Sequence, residues 1–218
     1  MHLKKDAKEF AEEARIRHII KTYSEHISFP VKLGDETLNA AEALWTRPSK
    51  DITAEQYNAF YRHTSNAYDD PWHVMHNKVE GTLNHTSLLF VPASQPFDLF
   101  EPERKSHVKL YVNRVYITET TKDLIPAYLR FLRGVVDSQD LSLNVSREML
   151  QSDPQLAKIK TSISKKVLSE LKKKATNSPE EYAAFWGNFG AVLKEGLVEE
   201  IALRDRILEI CRFASTSA

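Results

Sequence analysis

The sequence predicts an α/β region followed by an all-helical one, and three observations predict it. Between His73 and Ser138 the apolar residues fall in short runs rich in β-branched side chains, which is strand-like. From Leu156 to Leu193 they recur every three or four residues, the helical period. The change of character falls in one polar stretch, LSLNVSREMLQ (Leu141–Gln151), so the chain divides into a large α/β part, 1–152, and a helical part, 153–218.

Taken in order, residues 6–24 place Ala7, Phe10, Ala14, Ile19, Ile20 and Tyr23 on one stripe and read as an amphipathic helix. ISFPVKL reads as a strand whose Pro30 marks an edge or a bulge. A polar loop with Trp45 inside it follows. Thr53 is then an N-cap, Gln56 completes a capping box, and Ile52 can staple onto Tyr57, giving a helix to about His63. HVMHNKVEGTL and HTSLLFVPA read as antiparallel neighbours joined by a turn near Asn84. VKLYVNRVYIT reads as one further strand whose parity shift implies a bulge near Asn113–Arg114. IPAYLRFLRGVVDSQD reads as a short helix and then a strand. Beyond it, Leu156, Ile159, Ile163, Val167, Leu168 and Leu171 share one helical face. Ser178, Pro179 and Glu181 form a second capping box ahead of a helix bearing Tyr182, Phe185, Trp186, Phe189, Val192 and Leu193. A last helix covers about 200–213.

Composition narrows the function classes. Among 218 residues, 30 basic and 30 acidic side chains cancel, which argues against a general nucleic-acid binder. A lone Cys211 excludes an internal disulfide and a Cys-rich zinc site, and fits a reducing, cytoplasmic compartment. No apolar run approaches the roughly 20 residues of a membrane span, and the charged start MHLKKDAKEF has no signal-peptide core. A helical reading from residue 4 is what an excised domain would show, and a short natural N-terminus would look the same. With six glycines and no G-x-G-x-x-G, Walker loop, H-E-x-x-H or G-x-S-x-G, no complete nucleotide pocket is expected.

Few residues stand out as chemistry. His73 and His76 lie three apart in a strand, so they point to opposite faces and no metal site is expected. Lys172–Lys174 at a helix C-terminus fit the helix dipole. Trp45 is either tucked against the domain or a contact anchor. In LFVPASQPFDLF, residues Leu89, Phe90, Phe97, Leu99 and Phe100 either fold onto the core or form an exposed apolar lip. Arg147 is the least ordinary: in a first helical turn a cation opposes the dipole, whereas a nearby anion would draw arginine and free backbone N–H groups together.

Several blocks carry a specific resemblance: LWTRPSKDIT, VEGTLNHTSLLFVPASQPFDLFE, LYVNRVYITE, FLRGVVDSQDLSLNVSREMLQ and CRFASTSA. Together they resemble the heat-shock protein 90 chaperone family, bacterial HtpG type, over essentially the whole chain and only its middle domain. The resemblance implies an α/β sandwich of the ribosomal-protein-S5 second-domain type, then a helical connector and a small α/β/α subdomain. It implies an ATP-dependent chaperone whose Arg147 contacts the ATP γ-phosphate held by the N-terminal domain, assisted by Gln151 and Asn144. Such an arginine is worth roughly 10³–10⁵ in rate. ATP and magnesium belong to the full-length protein and not to this segment, which alone should not hydrolyse ATP. The resemblance also implies client contact at Trp45 and at Phe90, Phe97, Leu99 and Phe100. The partners implied are client proteins, the N-terminal ATPase and C-terminal dimerisation domains of the same chain, and co-chaperones, with no nucleic acid and no membrane. One departure is the loop PASQPF, which has no basic residue where many family members carry one. The competing reading is a non-catalytic interaction scaffold with Arg147 in a structural ion pair to Asp137 or Glu148.

Overall fold

The structure is a computed structural model that describes residues 4–81, 83–103, 105–119, 123–142, 153–214 and 216. Its centre is a mixed five-stranded sheet. Strand β3 (Pro71–Val79) pairs antiparallel with β4 (His85–Pro92), as the sequence predicts, and β4 pairs antiparallel with β7 (Arg133–Ser138). On its other side β7 runs parallel to β5 (His107–Val112), which pairs with β6 (Val115–Thr118). The run VKLYVNRVYIT is therefore a hairpin and not one bulged strand. Asn113 and Arg114 both take positive φ (50° and 66°), the conformation of a tight two-residue turn, and Val112 faces Val115 across it. A parity shift in sequence is common to a bulge and a tight turn, so it could not separate them.

Period-2 alternation gives the sheet two buried faces. Leu88, Phe90, Tyr111 and Val135 pack with Trp45 and Tyr61, while Leu89, Val91, Val108, Leu110, Val112 and Val136 face the opposite way. All eight residues of β4 are buried, as a strand covered on both sides requires. Glycine is obligatory at Gly134 in β7: φ is +123° and a Cβ there would lie 2.1 Å from the Leu88 carbonyl oxygen.

Helix α2 (Ala54–Ser65) covers the first face. Its capping box forms: Thr53 Oγ1 accepts from Gln56 N at 3.3 Å and Gln56 Oε1 accepts from Thr53 N at 3.0 Å. The N-terminal stretch breaks into a 3-10 segment (Lys5–Ala11) and helix α1 (Glu13–Tyr23), where one helix was expected. Only Ile20 of α1 is buried, so little packing holds a longer helix together. ISFPVKL yields only β1 (Lys32–Leu33), paired with β2 (Glu36–Thr37).

On the second face lie α3 (Pro154–Asn177) and α4 (Pro179–Glu199), which bury the expected stripes in the same core as the sheet. Gly196 lets α4 approach Tyr128 closely; a Cβ would meet that ring at 2.7 Å. The second capping box does not form. Ser178 makes no side-chain cap bond, and Glu181 instead meets Lys174 at 2.8 Å. The last helix is shorter than expected, a 3-10 turn (Ile201–Leu203) and α5 (Arg204–Leu208). Among the described residues after 152 there are helices and no strand, so the sheet of a small α/β/α unit is not found in them. Their apolar residues keep the helical spacing throughout.

Candidate functional site

Strand β7 delivers the chain to the segment that carries Asn144, Arg147 and Gln151. These three residues lie outside the described residues, but both flanks are firmly built. Ser138 Oγ accepts from the backbone N–H of Asp140 and of Leu141, each at 3.3 Å. Gln139 N donates to Asn84 O at 3.2 Å, and the Asp140 carboxylate accepts from Asn84 N, so the β3–β4 turn braces the exit of β7. Leu141 is buried. On the far side Asp153 Oδ1 accepts from Gln155 N at 2.7 Å and Pro154 opens α3, fixing where the segment ends.

Trp45 is tucked in and not on the surface: it is 1% exposed. Its indole Nε1–H donates to Asp137 Oδ2 at 2.8 Å, and the rings of His26 and Tyr111 lie 4.7 and 4.9 Å away. A buried indole N–H needs an acceptor, and Asp137 on β7 supplies one. The other Asp137 oxygen accepts from Arg114 N at 3.2 Å, so each oxygen of this carboxylate has a donor. Burial pushes the Asp137 carboxyl up, against the two hydrogen bonds that favour its charged form.

The apolar stretch 89–100 divides by exposure. Leu89 and Phe90 are β4 core residues, and Leu99 is buried, so of the residues assigned to client contact Trp45, Phe90 and Leu99 present no surface in this conformation. The physical reason is the two-sided burial of β4 and of the loop's return onto the sheet. Phe97 is 97% exposed and Phe100 52%, and these two form the lip. Beside them runs a groove of about 680 Å³, lined by Tyr61, Tyr68, Phe97, Asp98, His107 and Arg133.

Charged residues that sequence reasoning passed over hold this loop. Asp98 bridges Arg133 Nη2 at 3.3 Å and His107 Nε2 at 2.8 Å. Arg130 donates Nε–H to Leu99 O at 2.7 Å and forks onto Glu195 at 2.7 and 2.9 Å. The signal available was LRFLRG, two arginines within an otherwise apolar run.

His73 and His76 do point to opposite faces, one toward Glu170 and the other bonded to Tyr57 and to Trp45 O. Lys172, Lys173 and Lys174 each meet a carboxylate, Glu209, Glu170 and Glu181 respectively. Among the described residues no three His, Cys, Asp or Glu side chains are grouped to hold a metal, and no helix is long and apolar enough to cross a membrane.

The chain is similar in sequence to known proteins. The family model described as Hsp90 protein matches residues 33–218. Chaperone protein HtpG of Roseobacter denitrificans is 77% identical over 218 residues, covering 100% of this chain and 35% of that protein. Chaperone protein HtpG of Rickettsia rickettsii is 54% identical over 221 residues (99% of this chain, 36% of that protein), and that of Rhodospirillum rubrum 52% over 223 (100% and 36%). The chain thus spans little more than a third of the length of these curated relatives. With the family model matching most of its length, the chain belongs to the Hsp90 protein family.

Proposed function

We propose that this chain is the middle segment of an HtpG-type, ATP-dependent chaperone acting in the cytoplasm, with an α/β part of the ribosomal-protein-S5 second-domain type. The observation that carries the reading is the 77% identity to an HtpG chaperone over the whole chain. Arg147 acts as an arginine finger toward the γ-phosphate of ATP bound, with magnesium, by the N-terminal domain. Gln151 and Asn144 assist at the same junction. The braced flanks of the segment suit this role, because a phosphate contact supplied across a domain boundary depends on a fixed point of departure. ATP supplies the phosphoryl chemistry when bound; the residues of this chain supply charge and position. Clients dock on the apolar lip of Phe97 and Phe100, co-chaperones and the C-terminal dimerisation domain act through the rest of the protein, and nucleotide state is passed between the two.

The scaffold reading gives Arg147 a structural carboxylate partner. Of the two candidates Asp137 already accepts from Trp45 and Arg114, which weighs against it. The test is ATP turnover. In the full-length protein Arg147→Ala should lower hydrolysis at least about tenfold, the full worth of such an arginine being roughly 10³–10⁵. Purified N-terminal domain should be stimulated in trans by this segment and not by its Arg147→Ala form. Near-wild-type turnover in the variant would sink the arginine role.

A further inference from the structure

The apolar lip is not a free loop. Residues 93–103 leave β4 and return to β5, and among the described residues they are held from helix α4, from the arginines at and before the start of β7, and from His107 at the start of β5. At the start, Asn188 Nδ2 of α4 donates to Ala93 O at 2.9 Å. In the middle, Asp98 is gripped by Arg133 and His107. At the end, Arg130 donates to Leu99 O, and its guanidinium lies 5.8 Å from the Phe100 ring centroid. Arg130 is itself held by Glu195 of α4 through two bonds, and by Ala127 O at 2.9 Å.

Asn188 and Glu195 are seven residues apart, two turns on one face of α4. One helix therefore holds both ends of the loop, directly through Asn188 and through Arg130 at the other end. The Arg130 side chain is 4% exposed. A buried guanidinium is tolerated only when its donors are satisfied and its charge is met. Here the loop carbonyl, the carbonyl of Ala127 and the Glu195 carboxylate do so together, so the loop's position and the ion pair depend on one another.

We propose that Arg130 and Glu195 form a latch through which α4 positions the apolar loop, with Arg130 the positioning residue for the surface presented by Phe97 and Phe100. Closed, the latch keeps Leu99 in the core and Phe100 against the guanidinium, so that Phe97 alone is fully presented. A tilt of α4 that separates Glu195 from Arg130 releases Leu99 O and Phe100 together and widens the apolar surface. That this surface takes clients rests on the function proposed above; the latch itself does not.

The test is amide hydrogen exchange in the full-length protein, with capture of a reduced, carboxymethylated model polypeptide measured alongside. Leu99 N and Glu101 N, bonded to Pro96 O and Asp98 O, report on the loop. In Glu195→Gln their exchange should rise about tenfold, while amides within α4 and β4 stay at their wild-type rates. Asn188→Ala, which leaves the ion pair intact, should loosen the loop from its other end. Unchanged loop exchange in both variants would overturn the proposal. So would equal acceleration in the loop, α4 and β4, since Arg130 would then be a general support. The Phe97→Ala variant separates the two claims: if it captures the polypeptide as well as wild type while Glu195→Gln frees the loop selectively, the client reading falls and the latch stands.

Discussion

At the scale of single residues, Trp45 and Asp137 show how a polar atom decides where a large side chain goes. An indole in a polar stretch of sequence is costly to expose and costly to bury without an acceptor. Asp137, 92 positions away in the chain, resolves the conflict by accepting its N–H in the core. Trp45→Phe should keep most of the ring contacts and orphan that carboxylate oxygen. We expect a stability loss of about 1–3 kcal/mol, read as a lower urea midpoint with an unchanged slope. Whether Trp45 was buried or exposed could not be read from its neighbours in sequence, because the acceptor that settles it is brought in by β7.

At the scale of elements, local rules were legible where local interactions dominate. The capping box at Thr53 and Gln56 needs only four residues and forms as read. Thr53→Ala should cost about 1 kcal/mol, measured by denaturant titration. The same pattern at Ser178 failed because α3 runs directly into α4: Ser178 is at once the end of one helix and the start of the next, and Lys174 takes Glu181. Gly134 belongs to this scale too. Its positive φ and the Leu88 carbonyl against it come from strand pairing, so Gly134→Ala should destabilise by roughly 3 kcal/mol or more. Thermal unfolding would check it, and a midpoint within a degree or two of wild type would contradict the packing described.

At the scale of the whole molecule, burial sets the response to acid. His26, His73, His85 and His107 are all lowered from the ordinary histidine value, in each case chiefly by burial. On the acid side of about 6.5 the unfolded chain therefore binds protons that the folded protein resists. The stability these groups contribute is complete above that value and is lost as pH falls from it through their lowered folded-state values. Asp137 has the opposite sign. Raised by burial, it favours the folded state at low pH, and its contribution declines as pH rises from the ordinary carboxylate range to its raised value. The histidines dominate just below neutrality, so the urea midpoint should drop between pH of about 7.5 and about 5.5. His85→Leu should make that drop smaller; an unchanged drop would show that His85 stays solvated.

By itself the sequence determined the α/β character, the helical stripes, the first capping box, the absence of a nucleotide-cradling motif and the family. All of these rest on periodicity, on contacts within a few residues or on long matching blocks. Only the tertiary structure decided that VNRV is a turn, that Trp45, Phe90 and Leu99 are core and that Phe97 is surface. It alone showed that arginines from an apolar run hold the loop beside them. The places of Trp45 and Arg130 depend on partners far away in the chain, Asp137 and Glu195, and burial is a property of what packs on a residue and not of the residue itself.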